Sequence, residues 1–172
     1  MSKRPAARNE RVAGRSVIRT LLAVYDQAFD TRAWHGRPLW ASLRGVTVKQ
    51  AQWRPGRGRH NIWEIVVHAA YWKCFARRRI LRDAKVVFPY PGRNWFASPK
   101  RADVKAWRRD VALLKEQHLL LREVIAQLPP SALRAQAGRT PWTNAETIYG
   151  VASHDLYHAG QIQLLKALYR ER

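Results

Sequence analysis

Two histidines four residues apart, His154 and His158, stand in the run Ala152-Ser153-His154-Asp155-Leu156-Tyr157-His158-Ala159-Gly160-Gln161-Ile162. On a helix that spacing projects both imidazoles from one face, with Cβ atoms roughly 6 Å apart, which suits two ligands on one metal ion. Two imidazoles do not complete a site. His68 is the candidate third ligand, because it is flanked by Ile65-Val66-Val67 and Ala69-Ala70 and should face an apolar interior. Left uncoordinated there, its ring would need a hydrogen-bond partner. Three neutral histidines with coordination positions left open are the arrangement of a catalytic metal rather than a structural one. Cys74 is the single cysteine, so neither a CxxC zinc site nor an internal disulfide can form.

Several groups could contact those ligands. Asp155 occupies the position where a zincin helix carries Glu, and its shorter reach speaks against a metalloprotease. Glu64 lies one turn before His68, although its spacing from Asn61 also suits a capping box. His118 interrupts an apolar stripe and reads first as a hydrogen-bonded core histidine, second as a pocket group. His35 and His60 fall in or beside a loop. Cys74 reads as a small buried hydrophobe rather than a nucleophile. Gly150 and Gly160 each cost about 1 kcal/mol relative to Ala within a helix. Gly160 is therefore expected to permit tight packing beside the metal.

Four apolar-periodic segments must position these residues. The first runs from about Asn9 to Phe29, with Val17, Leu21, Val24 and Ala28 along one side and Ile18, Leu22, Tyr25 and Phe29 beside them. The second begins at Asn61 and runs to about Arg82. The third spans about Ala102 to Leu128, carries Trp107, Val111, Leu114, Leu121, Ile125 and Leu128, and is stopped by Pro129-Pro130. The fourth opens with Thr143 and Glu146 at capping-box spacing and runs nearly to the end. The only β-like run is Lys85 to Phe88. The expected fold is all-α, an antiparallel four-helix bundle with long inter-helix loops, whose sites lie between facing helices. A short helix is expected near Leu39 to Leu43, and Asp83 to Arg101 reads as an aromatic loop. Residues 1–8 read as a basic, flexible N-terminus and 9–172 as one domain.

The 172 residues hold 32 Lys and Arg against 12 Asp and Glu, a net charge of +20, with a hydrophobic fraction of 47% that excludes a disordered basic tail. No apolar run is long enough for a membrane span, and the first fifteen residues lack the apolar stretch of a secretory signal. A cytoplasmic protein is expected. The charge is uneven: residues 1–59 carry a net +10, whereas residues 143–172, which bear the paired histidines, are neutral. Arg8, Arg11, Arg15 and Arg19 step three, four and four along the first helix and share one stripe. That stripe is either a solvated face or a docking surface for a polyanion such as nucleic acid. No helix-turn-helix, zinc-finger or aromatic RNA-binding signature accompanies it.

The run from Ala152 to Ile162 resembles the C-terminal motif of the DinB/YfiT superfamily. Arg57-Gly58-Arg59-His60-Asn61-Ile62-Trp63-Glu64-Ile65-Val66-Val67-His68 resembles the superfamily's second-helix motif, and Trp34-His35-Gly36 and Tyr90-Pro91-Gly92-Arg93-Asn94-Trp95-Phe96 resemble loops of one branch. The resemblance implies a four-helix bundle holding a divalent metal, nickel or zinc, on three histidines that map to His68, His154 and His158. It implies a homodimer and a metalloenzyme acting on a small molecule, with thiol-dependent S-transferase or hydrolase chemistry and a low-molecular-weight thiol as a candidate cofactor. Tyr90, Trp95 and Phe96 would then wall the substrate pocket, with arginines at its mouth. Two alternatives stand beside it: a non-enzymatic polyanion-binding module using the arginine stripe, and a bundle whose metal is only structural.

Overall fold

The computed structural model describes the backbone of residues 4–172 and the side chains from Ala13 onward. Six helices, α1 (Arg4–Phe29), α2 (Leu39–Ser42), α3 (Val48–Gln52), α4 (Ile62–Leu81), α5 (Val104–Gln127) and α6 (Asn144–Arg170), are joined by loops and one 3-10 turn at Pro130–Arg134. Among the described residues there is no strand, only an isolated bridge between Gln136 and Thr143. Lys85 to Phe88 is loop.

Local chemistry sets the helix ends. Asn61 Oδ1 accepts from Glu64 N at 2.9 Å at the start of α4, and Asp103 Oδ1 accepts from Ala106 N at 2.7 Å at the start of α5. Thr143 and Glu146 form the expected capping box of α6. α4 ends on Arg82 in the left-handed region (φ 54°), and α5 stops at Gln127, ahead of Pro129-Pro130. Two elements differ from expectation: α1 begins at Arg4 rather than near Asn9, and α3 forms where only loop was expected. α3 is five residues long, too short for an apolar period to show, and is nucleated by Thr47, whose Oγ1 accepts from Gln50 N.

Each long helix packs against two others: α4 against α5 and α6, and α1 against α5 and α6. The first nine residues of α4, Ile62 to Ala70, are buried on every side. Of the two adjacent apolar rows of α1, the one bearing Ile18, Tyr25 and Phe29 turns inward. Ile18, Tyr25, Ala28 and Phe29 are buried, whereas Val17 and Val24 are 48% and 42% exposed. Two adjacent apolar rows are equally periodic, and only the position of the neighbouring helices decides between them.

The core falls into two apolar clusters. One gathers Phe29, α4 from Ile62 to Ala70, Leu113, Leu114, Ala159 and Ile162; the other gathers Tyr25, Ala76, Ile80, Leu121, Ile125, Ile148 and Ala152. Between them, at the same level on three helices, lie the buried polar residues Lys73 of α4, Gln117 and His118 of α5, and Asp155 of α6.

Candidate metal centre

The three singled-out histidines converge. His68 comes from α4, His154 and His158 from α6, and one ligand atom of each lies within 4.8 Å of the others. The Nε2 atoms of His68 and His154 are 3.0 Å apart, and those of His158 and His154 2.9 Å. The rings are pinned from behind. His68 Nδ1 lies 2.9 Å from the Asn94 carbonyl, which can only accept, so Nδ1 carries the hydrogen and Nε2 is bare. His158 Nδ1–H donates to Gln161 Oε1 at 2.7 Å, and Gln161 Nε2 donates to the Tyr157 hydroxyl at 2.9 Å. His154 Nδ1 is buried without a partner.

Burial keeps these rings neutral. It pushes His154 down to about 3 and His158 to about 4, with neighbouring imidazoles adding to the effect. His68 is lowered for the same reason, against the hydrogen bond to Asn94. A hydrogen on His154 Nε2 can serve only one of its two short contacts well, so nitrogen lone pairs face one another across less than 3.1 Å. A divalent cation resolves that conflict. Nitrogens about 2.0–2.1 Å from a shared ion come to comparable separations, and neutral imidazole is a standard ligand for zinc, copper, iron and nickel. The donor set fits a metal.

The aromatic surroundings belong to the same unit. Trp95 stacks on His68 (centroids 3.8 Å, planes 9° apart) and on His60 (3.5 Å, 7°). Trp72 meets His68 and His154 edge-on, and its Nε1 donates to Asn94 Oδ1 at 3.0 Å. Asn94 holds φ 69°, a conformation its short polar side chain tolerates. It thus binds two residues of α4 at once.

The remaining candidates separate. Glu64 does not reach a ligand: its carboxylate pairs with Arg54 and with His60 Nδ1 (2.9 Å), so it acts on His68 only through His60 and Trp95. Arg54 and His60 hold its carboxyl below the usual range despite burial. Asp155 points away from the triad and pairs with Lys73, both fully buried. His118 faces the interior between Tyr25 (4.4 Å) and Phe29 (3.8 Å), and its nearest carboxylate oxygen, on Asp26, is 3.7 Å away. The hydrogen bond expected of it is absent, and burial drives it down to about 2.

Tyr90, Trp95 and Phe96 do line one cavity, of about 330 Å3, together with Val67, Arg109 and Asp110. Of the three, only Trp95 touches the triad. Asp110 is buried there, accepting from Trp63 Nε1 (2.7 Å), Arg109 Nε (2.9 Å) and the Tyr90 hydroxyl. Gly160 is corrected: it is exposed, and a Cβ there would meet nothing within 4 Å, so it permits no packing beside the triad. Cys74 is buried. The side chains of Arg8 and Arg11 lie outside the described residues, and Arg15 and Arg19 are exposed, as either reading of the stripe requires.

Sequence reasoning missed Asn94, Trp72, Gln161 and Lys73. Gln161 had a signal, its position three residues after His158, where a side chain returns to the same helix face. Asn94 had none.

No helix among the described residues is long and apolar enough to cross a membrane. No curated protein and no solved structure matches the chain. A family model, the DinB superfamily, matches residues 31–162, a span that contains all three histidines, Asn94 and Gln161. With well over half of its length covered and the triad in place, the chain belongs to the DinB superfamily.

Proposed function

We propose that this is a metal-dependent enzyme acting on a small molecule, with His68, His154 and His158 as the ligands of one divalent ion, nickel or zinc. The observation that carries the reading is the meeting of three Nε2 atoms on neutral rings, two of them buried and fixed by an acceptor behind them and the third half-buried. The ion, when bound, supplies Lewis acidity that lowers the pKa of a water or a thiol toward neutrality. That suits hydrolase or thiol-dependent S-transferase chemistry, the latter with a low-molecular-weight thiol as co-substrate. Three protein donors fall short of the four of a closed structural zinc site, which favours catalysis over a structural role.

The chain's own residues supply the rest. Asn94 and Gln161 keep the ligand nitrogens bare and aimed. Trp95 and Trp72 exclude water from the sides of His68 and His154, and Trp95, shared with the cavity bounded by Tyr90 and Phe96, places that cavity against the ligand shell. The contacts among α1, α4, α5 and α6 support an antiparallel four-helix bundle. For a homodimer, α6 offers exposed Tyr149, Tyr157 and Leu164 on a segment without net charge. A single, buried cysteine suits a reducing cytoplasm.

Elemental analysis of protein purified without a histidine tag tests the reading. About one equivalent of metal is expected in the wild type and near none in His68→Ala and His154→Ala. Equal, near-zero metal in all three would sink it.

A further inference from the structure

The polar layer between the two apolar clusters holds a feature the metal chemistry does not use. Lys73 Nζ and Asp155 Oδ2 form an ion pair in which both side chains are wholly buried. The Lys73 ammonium also lies 4.8 Å from the centroid of the Tyr25 ring and 5.1 Å from that of Phe29, the two rings that stack on His118. Asp155 Oδ1, His118 Nδ1 and Gln117 Oε1 are buried without partners. Such a layer is expensive. A buried ion pair is often matched or bettered in stability by apolar residues of similar volume, and its best-attested use is to fix the register of helices.

Register matters here more than elsewhere in the fold. The triad is split between α4 and α6, and Lys73 and Asp155 lie on those same two helices, five residues beyond His68 and one beyond His154. Sliding α6 along α4 by one helical turn shifts it about 5.4 Å and keeps nearly the same face inward. Apolar side chains above and below the layer could accommodate a slip by repacking. An ammonium and a carboxylate confined to a layer one residue deep cannot, because each would be left unpaired in an apolar cluster.

We infer that the Lys73–Asp155 ion pair is the register lock that brings His68 of α4 to His154 and His158 of α6, making both residues positioning residues of the metal centre. The inference rests on the metal reading above, and its test separates the two.

The pair is replaced by an apolar one, Lys73→Met/Asp155→Leu, and by an uncharged hydrogen-bonding one, Lys73→Gln/Asp155→Asn. Thermal unfolding of each metal-free protein is compared with its Ni2+ and Zn2+ affinity, measured by competition with a chromophoric chelator. The apolar pair is expected to melt at or above the wild-type temperature yet bind metal at least tenfold more weakly, the scale on which outer partners tune metal affinity. The hydrogen-bonding pair is expected to bind within about threefold of wild type, since it keeps the link between α4 and α6.

Wild-type affinity in a folded apolar variant would overturn the inference. So would opposite shifts in Lys73→Met and Asp155→Asn with a neutral double variant, which would assign the pair to the electric field of the site. Failure of both Lys73→Met/Asp155→Leu and the volume-swapped Lys73→Leu/Asp155→Met to fold would assign it to stability alone. A metal-independent arm uses nuclear Overhauser contacts between ring protons of His68 and His154 in the apoprotein. They are expected in the wild type and lost in the apolar variant; their persistence would refute the lock even if the wild type bound no metal, a result that on its own would sink only the metal reading.

Discussion

Acidification of the metal-free protein gives a direct measure of the buried histidines. His118, His154 and His158 titrate natively near 2, 3 and 4, because burial penalises the imidazolium, whereas in the unfolded chain each returns to about 6.5. Between pH 7 and 5 the native rings stay neutral while the unfolded ones charge, so the unfolded state binds more protons and stability must fall as pH falls. Each histidine removes about 2 kcal/mol over that interval, and the three together about 6. Asp155 acts with the opposite sign. Burial outweighs Lys73 and raises it to about 6 against 3.8 unfolded, so the native state takes up its proton first, which restores part of the loss by pH 5. The net loss is several kcal/mol, a large part of the 5–15 kcal/mol typical of a domain. His68 shifts in the same direction as the other rings and adds to it. Urea denaturation followed by circular dichroism at pH 7, 6 and 5, with EDTA present, measures the slope. Replacing His118 by Phe should recover about 2 kcal/mol of the loss. Stability that is flat or rises between pH 7 and 5 would refute the assignment of these rings as neutral and buried.

Three further outcomes follow from the contacts around the triad. Gln161→Met removes the acceptor that fixes His158 and should weaken metal binding roughly 10–100-fold, while Tyr157→Phe, which trims an exposed hydroxyl, should change it less than about threefold; chelator competition decides, and equal affinities would exclude a role for Gln161. Added Ni2+ should quench tryptophan emission, and Trp95→Phe should remove a disproportionate share of the quenching because Trp95 stacks on a ligand; an unchanged fraction would place the metal elsewhere. Asp110→Ala leaves Trp63 Nε1 without its buried acceptor and should cost about 2–4 kcal/mol in urea denaturation, whereas a loss under 1 would show the cavity wall to be adaptable.

The clustering of the three histidines was legible in the sequence because its constraints are local. His154 and His158 share a face by helical arithmetic alone, and His68 betrays its direction by its apolar neighbours. Asn61 and Thr143 announce helix starts through their side chains, and both start helices where expected. What stayed hidden depends on partners far along the chain. Asn94 approaches His68 only because the loop after α4 folds back over that helix. Lys73, in Trp72-Lys73-Cys74, has the composition of any half-exposed helix face, and nothing near it signals that Asp155, 82 residues on, will meet it. Which apolar row of α1 turns inward, and that Gly160 faces solvent, were likewise decided by packing rather than by periodicity.

The triad draws its ligands from positions 68 and 154, joined directly at 3.0 Å across 86 residues of chain. An ion held there would be a reversible cross-link closing half of the chain into a loop. Because the unfolded chain offers no such pocket, every tenfold rise in free metal above the dissociation constant would add about 1.4 kcal/mol to the folded state. The amount of intact protein in a cell would then track the supply of its metal, with starvation for the ion exposing the chain to proteolysis before any catalytic consequence is felt.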